Sequence, residues 1–562
     1  MPSRLPLADR RARIRASALW AAYGDALGFV TELAPSAAQV RRRAGVYPVD
    51  RTRPWRRRVG GRGGPTVLLP AGCISDDTQL RLAVCRSIRS DGRFDAEVFG
   101  KIELTIWPGY ALGAGRGSQV AAANLRRRDV SWSTNFFEAD RAVYVAGGGN
   151  GAAMRVQPHV WSARRGTFLE RVLPDVVADA VCTHGHMRGI LGAVFHAWCV
   201  QFALDEETVP GPAEWRRATD ELGMVVGAIE QHDELGHLWL GLWQERTRDT
   251  LASAVAKVQG ELREDIRRLV PRAGQTQLLD YEGAAQAIGA TRPEERGSGT
   301  KTALLGAFVA WQLGDDPAVA VRTAANALGT DTDSIATMAG ALLGAARTAE
   351  LPADVADHDY IEFEANRMWM IGEGLTAPTF RYPELRRWSA PRAHADVLGL
   401  HDGGLAVMGL GPCEPTGELH ATSGENGIAW QWVDIWFGQR VLIKRRAHPP
   451  RLSESHLVTP TEHYAAASLL DDLDRAVGAP QEAPRVARRP GYELGPVKVP
   501  GSLHELTNEA IAADFDERLV GHRVRAMLEE EDGIERAIAY VAIVGKALAS
   551  RRDRDRRATG GR

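Results

Sequence analysis

Apolar residues recur at helical spacing over most of the first 390 residues. After residue 334, for example, Ile335, Met338, Ala339 and Leu342 fall on one face of a helix. Strand patterns are scarce in this part of the chain, so residues 1–391 are predicted to form an all-α domain. The predicted helices cover residues 14–27, 78–88, 172–181, 189–204, 251–262, 302–313, 318–328 and 334–346.

The pattern changes near Pro391. Residues 428–437 are dominated by aromatic and β-branched side chains, and glycine-rich turn signals flank them. We therefore predict a small β-rich unit over residues 392–450. Residues 451–562 are predicted to contain Pro- and Arg-rich linkers, a short helix between them and a helical C-terminal tail, without an assigned role. The longest apolar run, residues 189–204, is too short to span a bilayer, so no membrane association is predicted.

The overall charge gives no argument for a nucleic-acid or membrane partner. The 562 residues include 69 Lys and Arg and 71 Asp and Glu, giving a formal net charge of −2. Arginines cluster from Arg41 to Arg62 in a Gly- and Pro-rich stretch, which is predicted to be a solvated loop. A patch that binds nucleic acid or another phosphate-bearing partner is the less favoured alternative. The five cysteines form no Cys-x-x-Cys pair and no apolar signal follows Met1, so a cytoplasmic location is expected.

Two short acidic motifs, residues 75–78 (Ser-Asp-Asp-Thr) and 329–334 (Gly-Thr-Asp-Thr-Asp-Ser), each precede a predicted buried helix. Either one alone is explained as a helix N-cap. Adjacent carboxylates repel each other unless a cation lies between them, however. Brought together, the two motifs would supply four carboxylates and two hydroxyls, an oxygen cluster for Mg²⁺ or Mn²⁺. An EF-hand is excluded, because Ala336 and Leu342 stand where that loop requires Gly and Glu.

Three further motifs contain polar residues in unusual settings. Asp25 lies beside an apolar stripe and needs a partner, either the metal cluster or a helix end; nearby Gly28 either ends the first helix or allows close packing. The glycine-rich residues 147–151 form either a phosphate cradle or a flexible loop. His184 precedes an apolar helix and is either a hydrogen-bonding or base-stacking residue or a structural one.

In this order and spacing the motifs resemble the ADP-ribosylglycohydrolase family, over about residues 12–350. The resemblance implies an all-α fold around two Mg²⁺ ions, with Mn²⁺ in some members. It also implies hydrolysis of the glycosidic bond between ADP-ribose and an acceptor. The metal ligands that it implies are Ser75, Asp76, Asp77, Asp331, Asp333 and Ser334.

The resemblance also implies substrate and catalytic residues. Asp76 or Asp77 is expected to activate water, with Glu32 as an acid or gate. The substrate-binding residues that it implies are Gly149, Asn150, Gly151, Met154, Arg155 and His184. We expect the acceptor to be arginine on an ADP-ribosylated protein, because the first motif has Ser75 in place of Thr, which resembles the arginine-type members of the family. A nucleic-acid or small-molecule acceptor, and a non-enzymatic ADP-ribose-binding or scaffold protein, are the alternatives. The oligomeric state is not predicted.

Overall fold

The computed structural model describes residues 7–61, 63–270, 280–347, 350–421, 427–458, 460, 464, 502–513, 515, 517–528 and 533–559. Internal contacts divide the chain into two compact units. The first comprises residues 1–229 and 243–477, and the second comprises residues 230–242 and 478–562. The candidate chemistry lies in the first unit.

The helical part of the chain begins with a long helix. In order, the helices are α1 Leu7–Thr31, α2 Ala37–Ala44, α3 Asp76–Ser87, α4 Ala96–Val98, α5 Leu104–Ile106, α6 Arg116–Leu125, α7 Gln157–Trp161, α8 Leu173–Val181, α9 Met187–Glu206, α10 Pro212–Glu221, α11 Val225–Gln231, α12 Leu240–Thr247, α13 Leu251–Leu269, α14 Tyr281–Ala287, α15 Gly299–Gln312, α16 Pro317–Asn326, α17 Thr332–Ala346 and α18 His358–Gly372. The predicted helical character is confirmed, but the prediction of an all-α domain is wrong in detail, because two short β-hairpins lie among these helices.

Helices α1 and α17 pack backbone against backbone at the centre of the first unit. A Cβ atom on Gly24 would overlap the backbone of Ala336, and one on Gly28 would overlap the backbone of Asp333. The glycines therefore serve close helix packing. The suggestion that Gly28 ends the first helix is wrong, because α1 continues to Thr31. This packing places the second acidic motif directly against α1.

Helix α9 is a long helix with mainly apolar residues. By length and composition Met187–Glu206 could cross a membrane, but 89% of its most apolar window is buried inside the fold. It packs against α15, α17 and α8 as a core helix. Its apolar character is thus explained by burial in the protein.

The arginine-rich segment folds into regular structure. Arg41 and its neighbours lie in α2, and β1 (Trp55–Arg58) pairs antiparallel with β2 (Thr66–Leu69). The prediction of a solvated loop is therefore wrong for these residues. Alternation explains the hairpin, because Trp55 is buried while Arg56 and Arg58 are exposed. A second short hairpin joins β3 (Glu138–Ala139) and β4 (Ala142–Val143).

A five-stranded antiparallel meander follows the helical part, as the aromatic and β-branched pattern predicted. Its strands are β5 Leu398–His401, β6 Gly404–Val407, β7 Gly411–Ala421, β8 Ile428–Ile435 and β9 Arg440–Arg446. Buried contacts connect the sheet to the helices. Arg86 on α3 donates Nη1 to Oε1 of Gln439 at 2.9 Å, and Tyr360 packs on Phe437 with ring centroids 4.9 Å apart.

In the second unit, helices α19 (Leu503–Ala512), α20 (Glu517–Leu528) and α21 (Gly533–Thr559) follow one another. Leu506, Met527 and Tyr540 are among the residues of a small apolar cluster. Most of the predicted linkers and the short helix between them lie outside the described residues.

Candidate active site

The two acidic motifs meet at the N-termini of two helices. Ser75 caps α3 and Asp331 precedes α17, so both motifs lie at the start of buried helices, as the sequence predicted. Ser334 donates its hydroxyl to Oδ2 of Asp77 at 3.3 Å. This contact joins residues 257 positions apart in the sequence. The motifs therefore belong to one site.

Asp25 accepts hydrogen bonds from the backbone of the first motif. Its carboxylate oxygens accept the backbone N–H of Ser75 at 3.0 and 3.1 Å, and Oδ2 also accepts the N–H of Thr78 at 3.1 Å. The partner of this fully buried aspartate is thus a helix end, one of the two possibilities that the sequence left open. Asp25 was not among the predicted site residues, although an aspartate beside an apolar stripe is a signal of a buried polar role.

A cavity of about 570 Å³ opens over the joined motifs. Most of the predicted site residues line it, but Ser75 and Arg155 do not. The predicted residues in its wall are Glu32, Asp76, Asp77, Gly149, Asn150, Gly151, Met154, His184, Asp331, Asp333 and Ser334. The helical fold therefore gathers carboxylates and a glycine-rich loop around one space.

The carboxylates of this cavity are held at high electrostatic cost. Burial, together with the negative charges of Glu32 and Asp25, holds the pKa of Asp76 well above its usual value. Burial and the neighbouring aspartates raise the pKa of Asp77 in the same way, and burial beside Glu32 and Asp331 raises that of Asp333. Each carboxylate is thus destabilised in its charged form by the others.

The donor atoms of the cluster fit a divalent cation. Oδ1 of Asp77 is buried and has no hydrogen-bond partner. Carboxylate and hydroxyl oxygens are the ligands that Mg²⁺ and Mn²⁺ prefer, and a cation would relieve the mutual repulsion. Among the described residues, however, no three His, Cys, Asp or Glu side chains converge on one point closely enough to hold an ion. The chemistry of the donors fits a metal, whereas the described carboxylates do not form a complete coordination shell by themselves.

The glycine-rich loop closes one side of the cavity. Asn150 donates its side-chain amide to Oδ2 of Asp331 at 2.9 Å, which ties the loop to the second acidic motif. His184 lies against Gly151, and a Cβ atom there would come within 3.2 Å of the imidazole. Burial lowers the pKa of His184 to about 3, so the imidazole is neutral at ordinary pH. It accepts or donates hydrogen bonds without adding charge.

Arg155 lies beneath this loop and not on its surface. It is fully buried and pairs with Asp179 at 2.8 Å. It also donates to the carbonyl oxygen of Gly151 at 2.6 Å and to the hydroxyl of Thr183 at 2.9 Å. The expectation that Arg155 touches the substrate phosphates does not match this position. Its guanidinium instead fixes the loop and the residue before His184.

Glu32 is held by the arginine-rich hairpin. Arg57 donates Nη1 and Nη2 to Oε2 of Glu32 at 3.1 and 3.0 Å. Burial raises the pKa of Glu32, while the charge of Arg57 opposes that rise. This pair was not predicted from the sequence, because the two residues meet only after the hairpin has formed.

Comparison with known proteins identifies the family of the chain. A family model described as ADP-ribosylglycohydrolase matches residues 6–371. The chain therefore belongs to the ADP-ribosylglycohydrolase family, and it is a hydrolase that acts on glycosyl bonds. A solved structure titled "ADP-ribosylglycohydrolase-related protein complex" is similar, with 21% identity and a TM-score of 0.41 over 65% of this chain and 99% of that one. No curated protein matches the chain. The family acts on ADP-ribosylated substrates and is generally dependent on divalent metals.

Proposed function

We propose that this protein hydrolyses the bond between C1″ of ADP-ribose and an acceptor, with arginine on a modified protein as the first acceptor. The single observation that supports this most strongly is the contact between Ser334 and Asp77. It joins two motifs from opposite ends of the helical part of the chain in one acidic cavity. That cavity also carries the glycine-rich loop expected at the substrate phosphates.

Two divalent cations, Mg²⁺ or alternatively Mn²⁺, fit the proposal. Ser75, Asp76, Asp77, Asp331, Asp333 and Ser334 would hold them. When bound, such ions supply positive charge that acidifies water and neutralises the carboxylates. The buried, unpartnered Oδ1 of Asp77 supports this ligand set.

Separate side chains have separate roles in the proposed reaction. Cleavage of a glycosidic bond develops positive charge on the sugar, so carboxylates stabilise its transition state. We assign to Asp76 or Asp77 the acceptance of a proton from the attacking water. Glu32 acts as the acid or as a gate at the edge of the cavity, and the loop at Asn150 orients the ADP-ribose.

A second acceptor class is favoured by one contact. The guanidinium of Arg57 already forms an ion pair with the carboxylate of Glu32. An entering arginine would bring a second guanidinium beside it, which is unfavourable. An uncharged or phosphate-bearing acceptor, on a side chain, nucleic acid or small molecule, meets no such repulsion. The third alternative is a non-enzymatic binding protein. The intact acidic cluster argues against it, because a binding protein would not need these carboxylates.

Release of free ADP-ribose from arginine-, serine- and nucleic-acid-linked substrates tests the proposal. The full chain would be assayed with Mg²⁺, with Mn²⁺ and with chelator, beside Asp331→Ala. Asp315→Ala, at an exposed aspartate far from the cavity, is the matched control. We expect metal-dependent release that Asp331→Ala abolishes and Asp315→Ala retains. Binding of ADP-ribose without release from any substrate would reject the hydrolase.

The cellular setting is proposed on simpler grounds. All five cysteines are buried free thiols. Unpaired buried thiols suit a reducing compartment, so we propose a cytoplasmic protein.

A further inference from the structure

A second, basic cavity lies in the first unit, beside the sheet, and shares no lining residue with the acidic one. Its volume is about 950 Å³, and its wall contains seven Lys and Arg side chains against two carboxylates. The whole chain carries a formal charge of −2, so this concentration of positive charge is local. Such a concentration is unfavourable unless an anion is attracted to it.

The arginines come from three separate segments. Arg126 and Arg128 follow α6, and Arg451 follows β9. The connection between α18 and β5 supplies three more, Arg386, Arg387 and Arg392. Because distant parts of the sequence converge here, the charge is not an accident of one basic run.

Lys101 holds two of these segments in place. Its Nζ donates to the carbonyl oxygens of Leu125, Arg127 and Val130 at 2.8, 2.7 and 2.7 Å, which fixes the turn that carries Arg126 and Arg128. The carbonyl oxygen of Lys101 in turn accepts the indole N–H of the buried Trp388 at 2.8 Å.

Trp388 anchors the second arginine-bearing segment. Arg126 also donates to the carbonyl oxygen of Arg392, which joins the two segments directly. The backbone of the two arginine-bearing segments is thus fixed by the fold, and holding the segments together in advance lowers the entropy cost of binding.

Most of the positive charge in this cavity is uncompensated. Arg128, Arg386, Arg392 and Arg451 form no ion pair within the described part of the chain. Of the two carboxylates in the wall, Asp396 is paired with an arginine outside it, and the charge of Glu97 acts on Lys101. Asp396 accepts from Arg446 at 2.5 Å, and Glu97 accepts the backbone N–H of Trp132 at 3.3 Å. Four guanidinium groups therefore remain available for a ligand.

We propose that this basic cavity binds a nucleotide-sized ligand that carries two or more phosphates. Guanidinium groups present paired N–H donors that match phosphate oxygens. The volume lies near the upper end of ligand pockets, which hold about 300–1,000 Å³. Leu385, Met408 and Leu452 add an apolar surface for a base or sugar. The phosphates can come from a free nucleotide or from the chain of a nucleic acid, and the two sources share this chemistry.

Calorimetric titration of the full chain tests the site, with chelator present. The probes are ATP and a single-stranded oligonucleotide of twelve residues. Arg386→Glu with Arg392→Glu reverses two charges in the cavity, and Arg216→Glu with Arg267→Glu makes the same change at exposed arginines outside the cavity and outside the Arg41–Arg62 stretch. We expect the cavity variant to weaken binding by about tenfold or more, since charge-assisted hydrogen bonds are lost. The control pair should change it by less than about twofold.

Each result decides the proposal. Tighter binding of ATP identifies a free nucleotide as the ligand type, whereas tighter, strongly salt-dependent binding of the oligonucleotide identifies a phosphodiester chain. No saturable binding of either probe, or equal losses in both variants, overturns the site. Arg386→Gln with Arg392→Gln repeats the test without adding negative charge. This site is independent of the hydrolase, so release of ADP-ribose should persist in the cavity variants.

Discussion

Arg57 forms an ion pair with Glu32, the acidic residue at the edge of the cavity. Both Nη atoms of Arg57 donate to the same oxygen, Oε2, at 3.1 and 3.0 Å. The guanidinium also lies over the ring of Phe29 at 4.2 Å and near that of Trp55 at 5.6 Å. The bound arginine is thus fixed by the hairpin and by aromatic packing.

Removing this charge should change acceptor preference. In Arg57→Ala we expect release from arginine-linked ADP-ribose to rise relative to serine-linked ADP-ribose, by about tenfold, because the repulsion between guanidinium groups is lost. The measurement is the ratio of kcat/KM for the two substrates. Arg58→Ala is the matched control, since Arg58 is the next residue of the strand and is exposed. An unchanged ratio in Arg57→Ala would show that Arg57 does not select the acceptor.

The close packing of α1 on α17 should be needed for activity. Gly28→Ala would force its methyl group into the backbone of Asp333, so we expect a loss of stability of about 1–3 kcal/mol and a large loss of turnover. In Gly260→Ala, within α13, the methyl group meets open space. That control should stabilise the protein by about 1 kcal/mol, the gain of Ala over Gly in a helix. Urea unfolding compares the two, and equal behaviour would contradict the packing argument.

Asp357 should make stability depend on pH. Burial raises the pKa of this carboxyl from 3.8 to about 7, although the backbone N–H and charge of Arg440 oppose the rise. Between these values the native state holds more protons than the unfolded state, so the free energy of unfolding falls as pH rises from 3.8 to about 7. Asp357→Asn stays neutral and tolerates the left-handed backbone, φ 59°, of this position.

Above about pH 7 the variant should therefore unfold at a higher urea concentration than the parent. Its free energy of unfolding should be higher by up to a few kcal/mol, at about 1.4 kcal/mol per pKa unit. The difference should shrink towards pH 4. Asp359→Asn, at a side chain that is 95% exposed, should leave the pH profile unchanged. A constant difference between Asp357→Asn and the parent across this range would mean that Asp357 does not titrate there.

The sheet should be energetically inseparable from the helices. Arg86 is fully buried and pairs with Glu103 at 2.7 Å while it donates to Gln439 of the sheet. Arg86→Met leaves the charge of Glu103 buried without a positively charged partner, with only the hydroxyl of Tyr382 donating to it, so we expect a loss of about 3–5 kcal/mol. Arg89→Met, at an exposed position, should cost less than about 0.5 kcal/mol. Separate unfolding transitions for helices and sheet in the parent protein would contradict this account.

The sequence was informative where function depends on local motifs. The long helices α1, α3, α9 and α17 and the strand β8 were predicted from the spacing of apolar residues, because that spacing is strongest in the elements that pack into the core. Short helices such as α10 and α14, and the other strands of the sheet, were not predicted individually. The meeting of Asp77 with Ser334 was anticipated because two adjacent carboxylates exceed the need of a helix cap. The motif order pointed to the correct family.

Contacts that arise only from tertiary packing were not predictable in this way. Nothing local in the arginine-rich stretch shows that Arg57 turns towards Glu32, because the hairpin forms only when Trp55 is buried. Likewise, Arg155 reads as a phosphate ligand beside its glycines, yet Asp179 on α8 draws it into the interior. Charged residues next to a motif carry little information on which side of it they will face.

The account requires the two acidic motifs to work as a single site, and the rate of ADP-ribose release tests this most directly. The variants are Asp77→Asn, Asp331→Asn and the double variant, assayed on the best substrate with the preferred metal. We predict that each single change lowers kcat by about a thousandfold and that the double change adds little, because groups that act as a unit lose function together. Full turnover in either single variant, or losses that simply multiply, would contradict a shared site.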